Sequence, residues 1–177
     1  MQVTESGNIH ELRVIQVPVF RDFRGEYVET FSARNYSLFD SSGKPIEFVE
    51  DDVSMSRRGV LRGLHGDDRT WKLVQCLWGE FYLVVADVRP QSPTYLRWEG
   101  FYLNDRSRSQ VLIPAGCANG HLCMSEHCLF SYKQSEYYDG ADKQFTVRWD
   151  DPALAISWPI RDPLLSERDA GAQLLRV

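Results

Sequence analysis

Arg62, Gly63, Leu64 and His65 stand in a row, and Lys72 follows seven residues after the histidine. An imidazole has a reference pKa of about 6.5 and suits proton transfer near neutrality. A lysine fixed in a partly dry site can stabilise an anion that forms during a reaction. Residues 60–65 read as a short strand, 66–70 as a polar turn, and a second strand begins at Trp71. Strict alternation along the first strand predicts Arg62 and Leu64 on one face and Leu61, Gly63 and His65 on the other. Gly63 then leaves a gap on the histidine's face, through which a ligand is expected to approach the backbone. A lone strand histidine is more often structural than catalytic, so the weight of His65 rests on what the rest of the chain sets beside it.

The 177-residue chain suits one domain spanning 1–177, with 43% hydrophobic and 25% charged residues. Nine Phe, eight Tyr and five Trp favour strands and ring-lined pockets. A formal charge of −5 argues against nucleic acid as a partner, and an anionic ligand would need a local basic cluster. Cys76, Cys117, Cys123 and Cys128 form no CxxC pair and no zinc spacing. No leader-type segment and no run near 20 apolar residues is read, so the expectation is reduced thiols, a cytoplasmic location and no membrane.

Short strands are predicted through residues 9–20, 27–31, 48–54, 72–88, 96–103, 110–113, 121–124, 128–135 and 145–149, divided by turns. A short helix is expected over 33–39 behind Ser32 as N-cap, and residues 164–169 read as irregular or briefly helical. Many short strands at spacings of roughly 8 to 12 residues indicate an all-β jelly-roll barrel of the cupin type. Trp78-Gly79 and Pro114-Ala115-Gly116 mark its corners. Metal-holding cupins carry two histidines one residue apart and a third after the Pro-x-Gly corner. Here His65 is followed by Gly66 and Asp67, and Asn119 takes the third position with His121 two residues on. The expectation is therefore no metal, no cofactor, and acid–base chemistry.

The chain resembles the nucleotide-sugar 3,5-epimerases over nearly its whole length. The resemblance rests on Asp22-Phe-Arg-Gly-Glu-Tyr-Val-Glu-Thr-Phe31, Gly59-Val-Leu-Arg-Gly-Leu-His65, Lys72-Leu-Val74, Pro114-Ala-Gly116, Ser131-Tyr-Lys133, Trp149-Asp-Asp-Pro152 and Leu165-Ser-Glu-Arg-Asp169. It implies a metal-free barrel, a homodimer whose N-terminal strands reach the neighbouring subunit, and a nucleotide-linked 4-keto sugar as substrate. It makes His65 the general base, Asp169 its carboxylate partner, Tyr132 the acid on the opposite face of the sugar, and Lys72 the neighbour of the developing enolate oxygen. It assigns Arg62 and Arg168 to the diphosphate, Arg24 and Glu29 to the nucleotide, and Tyr138 to stacking on the base.

The chain departs from the family pattern at Glu50-Asp51-Asp52, where the family has Gln-Asp-Asn, at Asn119, where it has histidine, and at Lys143, where it has glutamate. These positions face nucleotide and sugar, so they bear on substrate identity more than on chemistry. His65-Gly66-Asp67 and Asn119 also resemble a branch acting on GDP-linked 4-keto heptoses in surface-polysaccharide synthesis. An acidic side chain can pair with the two N–H donors of guanine's edge, which favours GDP over dTDP. The alternatives are a C3-only epimerase, a 3,4-ketoisomerase, and a binding cupin without chemistry.

Overall fold

A computed structural model describes residues 1–176. Thirteen strands form a jelly roll: β1 (Gln2–Glu5), β2 (Arg13–Gln16), β3 (Val19–Asp22), β4 (Gly25–Val28), β5 (Glu50–Arg57), β6 (Leu61–Gly66), β7 (Lys72–Trp78), β8 (Glu80–Asp87), β9 (Trp98–Asn104), β10 (Gln110–Ile113), β11 (Cys117–Cys123), β12 (His127–Gln134) and β13 (Phe145–Thr146). One sheet runs β1-β2-β10-β7-β12-β5 and the other β13-β6-β11-β8-β9, while β3 and β4 form a separate hairpin. The expected corners are present, with Gly79 and Gly116 at φ of 75° and 81°, a conformation glycine adopts without a Cβ penalty. Among the described residues no helix is long and apolar enough to cross a membrane.

Three apolar clusters hold the layers together. Between the sheets lie Val74 and Cys76 of β7, Phe81, Leu83 and Val85 of β8, Val111 and Ile113 of β10, and Phe130 of β12. Residues 31–48 cover the outer face of the larger sheet, setting Tyr36, Leu38 and Ile46 on Ile15, Leu73 and Leu112. The C-terminal segment covers the outer face of the other sheet, where Trp149, Trp158 and Ile160 pack on Tyr82, Val84 and Leu122. Strand β8 is thus buried on both faces, which is why it is a continuous apolar run with no alternation.

The helix expected over 33–39 does not form. Ser32 accepts backbone bonds from Asn35 and Tyr36 in a single turn, and the chain then extends. Tyr36 and Leu38 are buried while Ser37 and Phe39 are exposed, a period of two set by packing on the sheet. The C-terminal helix α1 (Glu167–Ala170) is one turn long, with the Ser166 hydroxyl accepting from the Asp169 N–H at 3.1 Å.

Candidate active site

Alternation along three strands delivers most of the site. On β7, Lys72 shares the inward parity of Val74 and Cys76. On β12, Tyr132 shares that of Phe130 and Cys128 and packs against the inter-sheet core. On β11, Cys117 and Cys123 face inward while Ala118 and Leu122 face outward, so Asn119 and His121 belong to the inner face. A cavity of about 610 Å³ opens there, lined by His65, Lys72, Asn119, His121, Tyr132 and Asp169 among others.

Strand β6 breaks the alternation. His65 pairs with Asn119 and Arg62 with His121, so three steps on β6 match two on β11. Directly opposed residues share a face, and this bulge therefore turns both Arg62 and His65 into the cavity. Leu61 and Leu64 go together to the outer cluster. The expected split of Arg62 from His65 is thereby corrected. Gly63 is corrected too: a Cβ there would lie 2.6 Å from the Gly120 Cα and 2.7 Å from the Asn119 carbonyl oxygen. Its missing side chain admits the neighbouring strand at φ 121°, and no gap for a ligand is needed to explain it.

Asp169 reaches His65 from 104 residues away. Leu61 N–H donates to Leu164 and Leu164 N–H to Gly59, which pins the C-terminal segment to the start of β6. One turn on, the Asp169 carboxylate meets His65 Nε2 at 2.6 Å through Oδ1, and Oδ2 accepts from the Gly63 N–H at 3.4 Å. Burial pushes this carboxyl up, yet the hydrogen bonds from His65, Ser166 and Gly63 prevail and hold it below the usual range. His65 thus keeps Nδ1 free of the carboxylate while Nε2–H is fixed. Asn119 adds a further constraint by donating to the His65 carbonyl at 2.9 Å. One amide N–H of Asn119 thus goes to the backbone of His65.

The opposite wall comes from the other sheet. Tyr132 is pushed up to about 12, first by burial and then by the neighbouring Asp52 carboxylate. It is consequently a protonated phenol at neutral pH. The Lys72 ammonium lies 5.8 Å from the Tyr132 ring centroid. Only 7% exposed, it is shifted below the usual lysine range by burial. Arg62 donates through Nε to the Ser56 hydroxyl at 3.0 Å. Arg168 donates through Nε to the Thr146 hydroxyl at 3.0 Å, and its buried Nη2 has no partner.

Other expected residues sit at the rim or away from it. Tyr138 lines this cavity and an adjoining cleft that contains Lys143. Beside them, the Gln134 amide donates to Glu50 at 2.9 Å and to Asp52 at 3.0 Å, and the Tyr138 N–H donates to Glu50 at 3.1 Å. Arg24 does not reach the cavity of its own chain: it is paired with Asp22 at the tip of the β3–β4 hairpin. Glu29 accepts from Asn35 at 2.8 Å on a separate cleft. The sequence reading missed Ser54, Arg57, Gln144 and above all His121, which line the cavity. Beginning the strand at residue 121 hid the fact that Asn119 and His121 share a face; starting it at Cys117 would have shown this.

The dTDP-4-dehydrorhamnose 3,5-epimerase family model matches residues 6–176. A dTDP-4-dehydrorhamnose 3,5-epimerase of Methanothermobacter thermautotrophicus is 39% identical over 168 residues, 92% of this chain and 89% of that protein. A dTDP-4-dehydrorhamnose 3-epimerase of Streptomyces niveus is 38% identical across 87% of this chain and 74% of that one. The crystal structure of dTDP-6-deoxy-D-glucose-3,5-epimerase from Legionella pneumophila, in complex with dTDP-4-keto-L-rhamnose, superimposes with a TM-score of 0.89 at 37% identity. The match covers 98% of this chain and 92% of that one. The family match runs through almost the whole described chain and the barrel superimposes over 98% of it: this chain is an isomerase and belongs to the dTDP-4-dehydrorhamnose 3,5-epimerase family.

Proposed function

We propose that the cavity inverts C3 and C5 of a nucleotide-linked 4-keto sugar held between its two walls. The observation that carries this is His65 on one sheet, held by Asp169 of α1, set across the cavity from Tyr132 and Lys72 on the other sheet. His65 takes the proton from the carbon beside the ketone on Nδ1, and the C–H electron pair moves into an enolate. Asp169 supports the resulting imidazolium. Lys72 stabilises the enolate oxygen, and a bound negative charge favours its ammonium form. Tyr132 delivers its proton to the same carbon from the other side, which reforms the ketone with inverted configuration. Proton exchange with solvent then resets phenol and imidazole.

Arg62 and Arg168 take the diphosphate, with the unpaired Arg168 Nη2 ready to donate. Tyr138 stacks on the base, with Glu50, Asp52 and Lys143 grouped near it, and guanine is the base whose paired N–H donors suit those carboxylates. Arg24 and Glu29 join the nucleotide only across a homodimer. In support, the β3–β4 hairpin exposes Phe20, Phe23 and Tyr27, at 63%, 98% and 67%. The four free, buried cysteines suit a reducing cytoplasm. Inversion at C3 alone is the second reading, favoured by the Streptomyces niveus relative.

Turnover of dTDP- and GDP-linked 4-keto-6-deoxyhexoses in deuterated water, followed by NMR, tests the assignment. His65→Ala should abolish both deuterium incorporation and epimerisation. Tyr132→Phe should admit deuterium with retained configuration, because the enolate is reprotonated from the side of His65. Each loss of epimerisation should be roughly 10²–10⁴-fold. Near-normal exchange in His65→Ala would move the base to another residue.

A further inference from the structure

Among the described residues, two buried side-chain polar atoms have no hydrogen-bond partner, Arg168 Nη2 and His121 Nε2, and both residues line the active-site cavity. The diphosphate accounts for the first. His121 has no part in the proton transfers. Its ring is 3% exposed and stacks on Phe130 with centroids 4.1 Å apart and planes 8° from parallel. Phe81 closes a second side at 5.3 Å. Burial, followed by the charges of Arg62 and His65, brings the imidazole down to about 3, so it is neutral throughout the working range. A nitrogen so lowered is a weak base, and it brings no positive charge to an anion.

A neutral imidazole offers one N–H donor and one acceptor. Left unpaired in an apolar setting it destabilises the empty site, and a ligand group that completes it gains correspondingly. The unpaired Nε2 donates in one tautomer and accepts in the other, and a hydroxyl is an uncharged group that can meet either. Resting on the reading of this cavity as the sugar site, we propose that His121 is a specificity-determining residue that hydrogen-bonds a hydroxyl of the bound sugar. Its aromatic stack on Phe130 fixes the ring, so the site selects for an oxygen at that point of the sugar over an apolar substituent.

Binding of unreactive hexoses separates this from the chemistry. Calorimetry would compare GDP with GDP-mannose, and dTDP with dTDP-glucose, on the parent and on His121→Phe and His121→Gln. His121→Phe keeps an aromatic ring for the stack. It should bind the bare diphosphates within twofold of the parent and lose about tenfold for the better-bound hexose conjugate, the size of one neutral hydrogen bond. His121→Gln restores a donor and an acceptor and should recover most of that loss. Hexose affinity unchanged within twofold in His121→Phe would overturn the proposal. So would equal losses for conjugate and bare diphosphate, the sign of a structural role, or a parent that binds the conjugates no tighter than the diphosphates. Absent turnover of 4-keto sugars alongside an intact His121 effect would sink the epimerase reading alone.

Discussion

Asp169→Asn is the substitution that tests the geometry of the base most sharply. The carboxylate serves two donors at once, Nε2–H of His65 at 2.6 Å and the Gly63 N–H at 3.4 Å. An asparagine has one acceptor oxygen for these two donors. With the oxygen toward Gly63, the NH₂ faces Nε2, which must become the acceptor. The imidazole proton then sits on Nδ1, where the substrate proton has to go, and the base is blocked. With the amide turned round, two donors meet at Gly63 in a site only 2% exposed, and a neutral oxygen supports the imidazolium poorly. Either way kcat should fall about 10²–10⁴-fold, which corresponds to roughly 2.7–5.4 kcal/mol of barrier. Loss of the charge-assisted bonds should cost about 2 kcal/mol of stability, lowering Tm by about 4–8 °C for a chain of this size. The assay is NMR of epimerisation and of deuterium exchange, with thermal unfolding as the folding control. A folded Asp169→Asn enzyme with kcat within threefold of the parent would refute the tautomer argument and leave Asp169 as a packing residue.

Nucleotide preference should follow the acidic rim: calorimetry should find GDP bound more tightly than dTDP, and Glu50→Gln combined with Asp52→Asn should narrow the difference. Tighter binding of dTDP by the parent would exclude the guanine assignment. Acid stability should be governed in part by Asp87, which is 0% exposed. Burial raises its carboxyl, but hydrogen bonds from Arg89, Ser92 and Thr94 more than reverse this and bring it from 3.8 down to about 2. Because the folded value is depressed, its stabilisation is full above the unfolded value and is lost as the pH falls from about 4 towards 2. Denaturant titrations should show a loss of roughly 2 kcal/mol over that window, absent in Asp87→Asn; an unchanged slope in the variant would reassign the effect.

Much of the barrel was readable because its strands obey a period of two between Gly and Pro punctuation. Residues 110–113 coincide with β10 (Gln110–Ile113), and the break at Trp78-Gly79 separates β7 from β8. Lys72 and Tyr132 are found on the inner face by alternation alone, counted from Val74 and Phe130. What alternation cannot supply is a bulge, since an inserted residue on β6 leaves no mark in the local pattern and shows only against the register of β11. The functional consequence is large: without that one residue, Arg62 and His65 could not share a cavity while Leu61 and Leu64 share a core. Asp169 lies beyond local reasoning for a different reason, since 104 residues separate it from His65 and its approach depends on the Val60–Leu164 bridge. The resemblance named that pair, and the pinned C-terminal segment explains it physically. Asn119 and His121 on β11 form one arrangement. Asn119 spends its amide N–H on the backbone of the base, and His121, two residues along the same face, presents the neutral nitrogen left for the sugar. Support of His65 and selectivity for the sugar are thus divided between neighbouring inward positions of a single strand, so substrate preference can change at His121 while the His65–Asp169 pair stays as it is.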